Sequence, residues 1–226
     1  GDITIKDNTK IGTWVELSSK GAFASQSNYL FKPNLRKFSY FSKSSVKFDG
    51  VNDFMTMMYN QPVTILNEFS IELLIKFSSV TGTQIILDWM ESSKGLQVLK
   101  GIDSKLEIKI GDGNKLVSLK PDIIMKESNA CFMIITVRDN QMEIYLNGSL
   151  VGTLLLDNIS LTSLIMPLEA TIGKSALDSA HYFNGYIKEY KFFDRGLTKE
   201  EILDIENNWV ENYPIKFDPE LPVLVS

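Results

Sequence analysis

The chain has 226 residues, 44% of them hydrophobic, and a formal charge of −5 from 28 acidic against 23 basic side chains. That is enough apolar material for one sizeable core, and a single large all-β domain commonly reaches this length. The charges are dispersed, with no basic block to neutralise a run of phosphates, and no apolar segment approaches the roughly 20 residues that cross a bilayer; neither nucleic acid nor membrane insertion is therefore expected. Cys131 is the only cysteine, so no intrachain disulfide forms, and its apolar neighbours mark a buried thiol. No secretory leader pattern precedes Gly1, so any leader is expected to have been removed.

In chain order, VKFDGVNDFMTM (46–57) places Asp49, Gly50, Asn52 and Asp53 between two apolar runs. Such a stretch is either a turn or part of an oxygen-rich calcium site. FSIELLIKF (69–77) alternates Phe69, Ile71, Leu73, Ile75 and Phe77 against Ser70, Glu72 and Lys76, the period of a half-buried strand. LEIKI (106–110) repeats the alternation, whereas FMIITV (132–137) is apolar on both faces and belongs in the middle of a sandwich. QMEIYLNGSLVGTLLL (141–156) reads as two strands joined by Asn147-Gly148, the pair that tolerates positive φ at both centres of a type I′ turn. Further turn chemistry recurs at Gly111-Asp112-Gly113-Asn114, Asp139-Asn140 and Asn184-Gly185.

One helix is expected, from Thr198 to about Trp209. Thr198 and Glu201 form a capping box, Leu197 staples to Ile202, and Ile202, Ile205 and Trp209 make an apolar stripe that should dock on the sheets. Beyond Tyr213-Pro214, residues 216–226 carry two prolines and no periodicity, and read as an extended tail after a domain spanning 1–215. The expected fold is all-β, a two-sheet antiparallel jelly-roll sandwich with one short C-terminal helix.

TWVELSSKGAFASQ (13–26), SVKFDGVNDFMTM, FSIELLIKF, MEIYLNGSLVG, ATIGKSALDSAHYFNGYIKEYKFFDRGLTKEEI (170–202) and ENNWVENYPI (206–215) resemble, in this order, the landmarks of the laminin-G-type (pentraxin-like) β-sandwich domains of the concanavalin A-like lectin/glucanase superfamily. The resemblance covers residues 13 to 215 and implies a bacterial or phage module, placed extracellularly, on a cell surface or in a virion. It also implies that FDGVND is the tight connection between a strand ending at Phe48 and one beginning at Phe54. The fold hosts lectins, glycosidases, adhesion modules and passive structural domains, so function must be argued from a site.

Turn chemistry accounts for every polar residue of that connection. Calcium would require about six to eight oxygens, and the sequence offers no second loop to supply them, so no metal or other cofactor is expected. Hydrolysis is not expected either. Related glycosidases resemble one another in an E-x-D-x-E strand motif with all three carboxylates on one face. Here EILDIE (201–206) is off by one and lies in the capped helix, and Asp88 and Glu91 point to opposite faces of a strand. A Cys131–His181 dyad would need an exposed thiol.

Binding remains as the leading class. Sugars stack their C–H faces on aromatic rings and bond their hydroxyls to loop amides and carboxylates. Asp88 with Trp89, and Asp178, His181 and Tyr182 in a separate loop, 178–182, fit that pattern; the alternative for Trp89 is packing in the core, as for Trp14 and Trp209. Two functions stay open: recognition of a carbohydrate or glycoprotein in adhesion or attachment, and a structural or decoration role, for example in a virion, with other protein subunits as partners.

Overall fold

The computed structural model describes residues 7–15, 23–37, 44–58, 63–64, 67–127, 130–161, 165–166, 169–177 and 180–212; the tail expected at 216–226 lies outside them. The strands are β1 (Thr9–Lys10), β2 (Thr13–Val15), β3 (Phe23–Ser25), β4 (Asn34–Arg36), β5 (Ser45–Asp49), β6 (Met55–Met58), β7 (Val63–Thr64), β8 (Phe69–Phe77) and β9 (Gln84–Asp88). They continue as β10 (Lys94–Lys100), β11 (Leu106–Asp112), β12 (Leu116–Leu119), β13 (Ala130–Arg138), β14 (Gln141–Leu146), β15 (Ser149–Leu155), β16 (Ile165–Met166), β17 (Glu169–Ile172) and β18 (Asn184–Phe193). A 3₁₀ turn, η1 (Tyr29–Phe31), follows β3, and one α-helix, α1 (Lys199–Asn212), follows β18.

Two eight-stranded antiparallel sheets face each other. The first has the order β1-β4-β5-β18-β8-β13-β14-β15, the second β12-β11-β10-β9-β17-β6-β3-β2, and β16-β7 form a small pair apart. The jelly-roll sandwich expected from the alternating pattern is the fold observed. Its main core lies between the sheets and includes Phe48, Phe69, Phe77, Trp89, Val98, Ile108, Ile135 and Phe183. The Asn147-Gly148 hairpin has φ of 47° and 76°, the two positive values a type I′ turn demands.

The strand 69–77 departs from the half-buried pattern, since all nine of its residues are buried. Helix α1 supplies the cover. Leu197, Ile202 and Trp209 pack with Leu74, Phe132, Ile134 and Tyr186 in a second core on the outer face of the first sheet. Two polar side chains on that face, Glu72 and Ser70, are consequently bonded inside. Glu72 Oε1 accepts from Trp209 Nε1 at 2.8 Å and from Lys191 Nζ at 3.0 Å. Ser70 Oγ donates to Thr136 Oγ1 at 2.9 Å, and Leu197 N donates to Ser70 Oγ at 2.9 Å, which ties the helix approach to β8 and β13. Burial raises the Glu72 carboxyl, against the pull of Lys191 and Trp209.

The capping box is formed, with Thr198 N donating to Glu201 Oε2 at 2.9 Å and Glu201 N to Thr198 Oγ1 at 3.3 Å. Arg195 adds an ion pair to Glu201 at 2.7 Å that the sequence pattern did not reveal. Thr198→Ala frees the Glu201 N–H and should lower stability by about 1 kcal/mol, read from the urea midpoint.

The expected turn at Asn184-Gly185 is instead the start of β18. Gly185 pairs with Phe48 of β5 and Phe77 of β8 at once, and its missing side chain lets three backbones come together. At one end of the sandwich Lys100, fully buried, donates from Nζ to the carbonyls of Val80 and Gly82 and holds that loop as a bound cation would.

Candidate functional site

Alternation fixes what the second sheet shows to solvent. Leu87, Val98, Ile108, Ile172, Met57 and Ala24 point into the core. Their strand neighbours point outward, and the register lines them up: Thr13 opposite Ser25, Ser25 opposite Thr56, Thr56 opposite Thr171, Thr171 opposite Asp88, Asp88 opposite Gln97, Gln97 opposite Lys109 and Lys109 opposite Ser118. A polar row thus crosses the whole outer face of the sheet.

The loop 173–177 crosses this row at its centre. Asp88 Oδ2 accepts from Gln97 Nε2 at 2.7 Å, Ala176 N at 2.9 Å and Ser175 Oγ at 3.3 Å, while Oδ1 accepts from Met90 N at 2.8 Å. Thr171 Oγ1 donates to the Lys174 carbonyl at 2.8 Å. With four donors on a buried carboxylate, Asp88 anchors the loop and has no capacity left for a ligand.

Where loop 173–177 leaves the sheet, an aromatic rim begins. Phe54 lies on the same outward side of its strand as Thr56, and its ring is 5.8 Å from that of Phe31 and 4.3 Å below Lys174 Nζ. Two bonds hold η1 against this ring pair, Phe54 N to the Phe31 carbonyl at 3.1 Å and Gln26 Nε2 to the Phe54 carbonyl at 3.4 Å. Asn28 caps η1 by accepting from Leu30 N at 3.0 Å. The turn then carries Tyr29 and Leu30 outward, each 68% exposed.

The 49–53 connection stands behind the rim and is a turn. Asp49 Oδ1 accepts from the backbone N–H groups of Val51, Asn52 and Asp53 at 2.8, 3.0 and 3.1 Å. Asp53, fully buried, accepts from Lys10 Nζ at 3.1 Å and Asp49 N at 3.2 Å. Burial alone would raise Asp49, but the three N–H groups bring it below the usual carboxylate range. Burial pushes Asp53 up to about 6. Among the described residues no group of three histidine, cysteine or acidic side chains is placed to hold a metal ion.

Asp53 makes stability depend on pH with a definite sign. The folded state holds its proton more tightly than the unfolded chain does, so this contribution is complete below about pH 4 and is lost as pH rises to about 6. We expect a loss of about 1–3 kcal/mol across that window from this group. Denaturation midpoints of Asp53→Asn against the native chain between pH 4 and 7 should show the slope flattened.

The other residues singled out in the sequence divide. Trp89 is 1% exposed and packs between the sheets against Phe69 and Phe192, with centroids 6.4 and 5.7 Å away, so its ring is core and offers no face to a ligand. Asp178 lies outside the described residues. His181 is exposed, at a φ of 64°, and Tyr182 is half-buried. Their segment runs beside the loop 173–177, with Phe183 N donating to the Gly173 carbonyl at 2.8 Å and Ile85 N to the His181 carbonyl at 2.8 Å. The fold therefore places His181 and Tyr182 beside the loop 173–177 and puts Asp88 and Trp89 beneath the surface. Tyr29, Leu30, Phe31, Phe54 and Lys174 were not picked out by sequence reasoning. The signal available was SNYLFKPN (27–34), a bulky apolar triplet set between an asparagine cap and a proline. Cys131 is buried and its thiol is pushed up to about 12 by burial, which separates it chemically and spatially from exposed His181.

Two antiparallel sheets with these strand orders make a jelly-roll β-sandwich domain. The chain belongs to the concanavalin A-like lectin/glucanases superfamily: a laminin-G family model of that description matches residues 49–203. A comparison with curated protein sequences finds no match. Among solved structures, the botulinum neurotoxin serotype D binding domain is similar at a TM-score of 0.71 and 17% identity, over 89% of this chain and 51% of that one. The receptor binding domain of botulinum neurotoxin D is similar at a TM-score of 0.71 and 18% identity, over 92% and 57%. The serotype D ligand binding domain in complex with N-acetylneuraminic acid is similar at a TM-score of 0.65 and 16% identity, over 88% and 50%. At such identities the likeness is one of fold, and the chain spans about half the length of these domains. No helix among the described residues is long and apolar enough to cross a membrane.

Proposed function

We propose that the chain is a non-catalytic glycan-binding module that works outside the cell, in adhesion or attachment, and that its contact surface is the rim of Tyr29, Phe31 and Phe54 with His181 and Tyr182 beside it. The observation that carries this reading is Tyr29. It is the one aromatic among the large exposed apolar side chains of the described residues, and a capped, doubly pinned turn holds it in place. An exposed ring carried on a capped turn is the kind of stacking face a sugar requires, and the hydroxyls of Thr13, Ser25 and Thr56 on the adjoining sheet are of the right kind for sugar hydroxyls. The carboxylates near the rim are engaged in turns and anchors, so none is poised as acid or nucleophile, and no polysaccharide should be turned over. The test is a glycan array probed with the purified chain in calcium and in chelator: binding should be present and equal in both, and an array with no bound glycan would refute the proposal.

A second reading, as a structural domain that binds other protein chains, draws support from a different place. Edge strand β15 carries no charge, and exposes Leu150 and Leu155 at 50% and 63%; uncharged edges are open to strand pairing. A concentration-dependent oligomer in sedimentation velocity, lost on Leu150→Lys, would favour this reading over the first.

A further inference from the structure

We infer that the glycan recognised at the rim is anionic, and that the Lys174 ammonium is the group that selects it; this rests on the module reading above. Lys174 is half-buried, with Nζ 4.3 Å over the Phe54 ring, and it makes no ion pair among the described residues. The carboxylates around it are already committed: Asp53 to Lys10 and the Asp49 N–H, Asp49 to its turn, and Asp88 to four donors. One ammonium, with no ion pair among the described residues, thus stands against the aromatic pair on a chain whose net charge is −5.

Among the described residues this positive charge is a local feature of the rim, opposite in sign to the molecule as a whole. An aromatic face fixes a cation in place and leaves its N–H groups pointing away from the ring, free to donate. A partly desolvated ammonium gains both a hydrogen bond and a charge pair from a carboxylate or sulfate, whereas a neutral sugar offers it only hydroxyl acceptors. A sugar stacked on Tyr29 with its anionic group toward Lys174 meets both demands, whereas a neutral sugar meets only the first. Sialylated or uronate glycans and sulfated glycans share this chemistry.

The experiment pairs each neutral glycan on an array with its sialylated, uronate and sulfated counterparts, and follows the strongest pair by calorimetry at about 50 and about 500 mM salt. The anionic member should bind at least about tenfold more tightly at low salt, with the gap narrowing at high salt. Lys174→Gln should remove that preference and Lys174→Arg should keep it, both with an unchanged melting temperature. Carboxylated against sulfated spots identify which anion is read. Binding of neutral and anionic partners alike, or a folded Lys174→Gln with its preference intact, would overturn the inference and leave the module reading standing. No binding to any spot would overturn both.

Discussion

Trp89→Ala is expected to destabilise the domain by about 3 kcal/mol, the lower end of what removing a buried tryptophan costs. The ring is 1% exposed and shares edge and tilted contacts with Phe192 and Phe69, so truncation leaves a large apolar void between the sheets. The value stays at the lower end because Trp89 Nε1 is buried without a hydrogen-bond partner, and the substitution relieves that unmet donor. Trp89→Phe should for the same reason cost far less, since it keeps ring contact and drops the orphan N–H. Urea midpoints of the two variants measure the difference. A stable, cooperatively folding Trp89→Ala would place the ring at the surface after all and return it to the binding site.

Gly185→Ala should be at least as damaging, by about 3 kcal/mol or more, or should prevent accumulation of folded protein. An added Cβ would lie 2.2 Å from the Lys76 carbonyl oxygen and 2.5 Å from the Phe183 ring. The carbonyl belongs to a strand hydrogen-bonded on both sides, so it cannot retreat without opening the first sheet. Gly82→Ala is the control: nothing lies within 4 Å of its added carbon, and only a φ of 66° opposes it, so about 1 kcal/mol is expected. Thermal melts of the two variants separate close backbone approach from conformational strain. A Gly185→Ala melt equal to that of Gly82→Ala would mean that the contact with Lys76 is not enforced.

These two positions also mark where the sequence was legible and where it was not. Alternation, the Asn-Gly pair and the capping box are local signals, and each was met by the expected element, because a strand period, a I′ turn and a reciprocal cap need only residues within a few places of one another. Gly185 looked like a turn because Asn-Gly is turn chemistry, while the reason for the glycine is a carbonyl more than a hundred residues away. Trp89 was set beside Asp88 as a surface pair, but consecutive residues at a strand end face opposite ways. Asp88 went outward under loop 173–177 and Trp89 inward. Glu72 and Lys76 looked solvent-facing until α1 was laid over them, and nothing local to FSIELLIKF announces that cover. The polar row from Thr13 to Ser118 draws on eight strands and exists only once their register is known.

The rim was illegible for a similar reason: Phe31, Phe54 and Lys174 come from three separate segments, and only the bonds of Phe54 to Phe31 and Gln26 and the contact of Lys174 with the Phe54 ring make them neighbours. Tyr29 is the part of that assembly that reaches solvent, and therefore the residue on which the account depends. The decisive measurement is a glycan array probed in parallel with the native chain and with Tyr29→Ala, whose melting point should be almost unchanged because the ring is exposed. Glycans should be bound by the native chain and lost by the variant; a folded Tyr29→Ala that binds the same glycans with the same strength would rule out the rim as the binding surface.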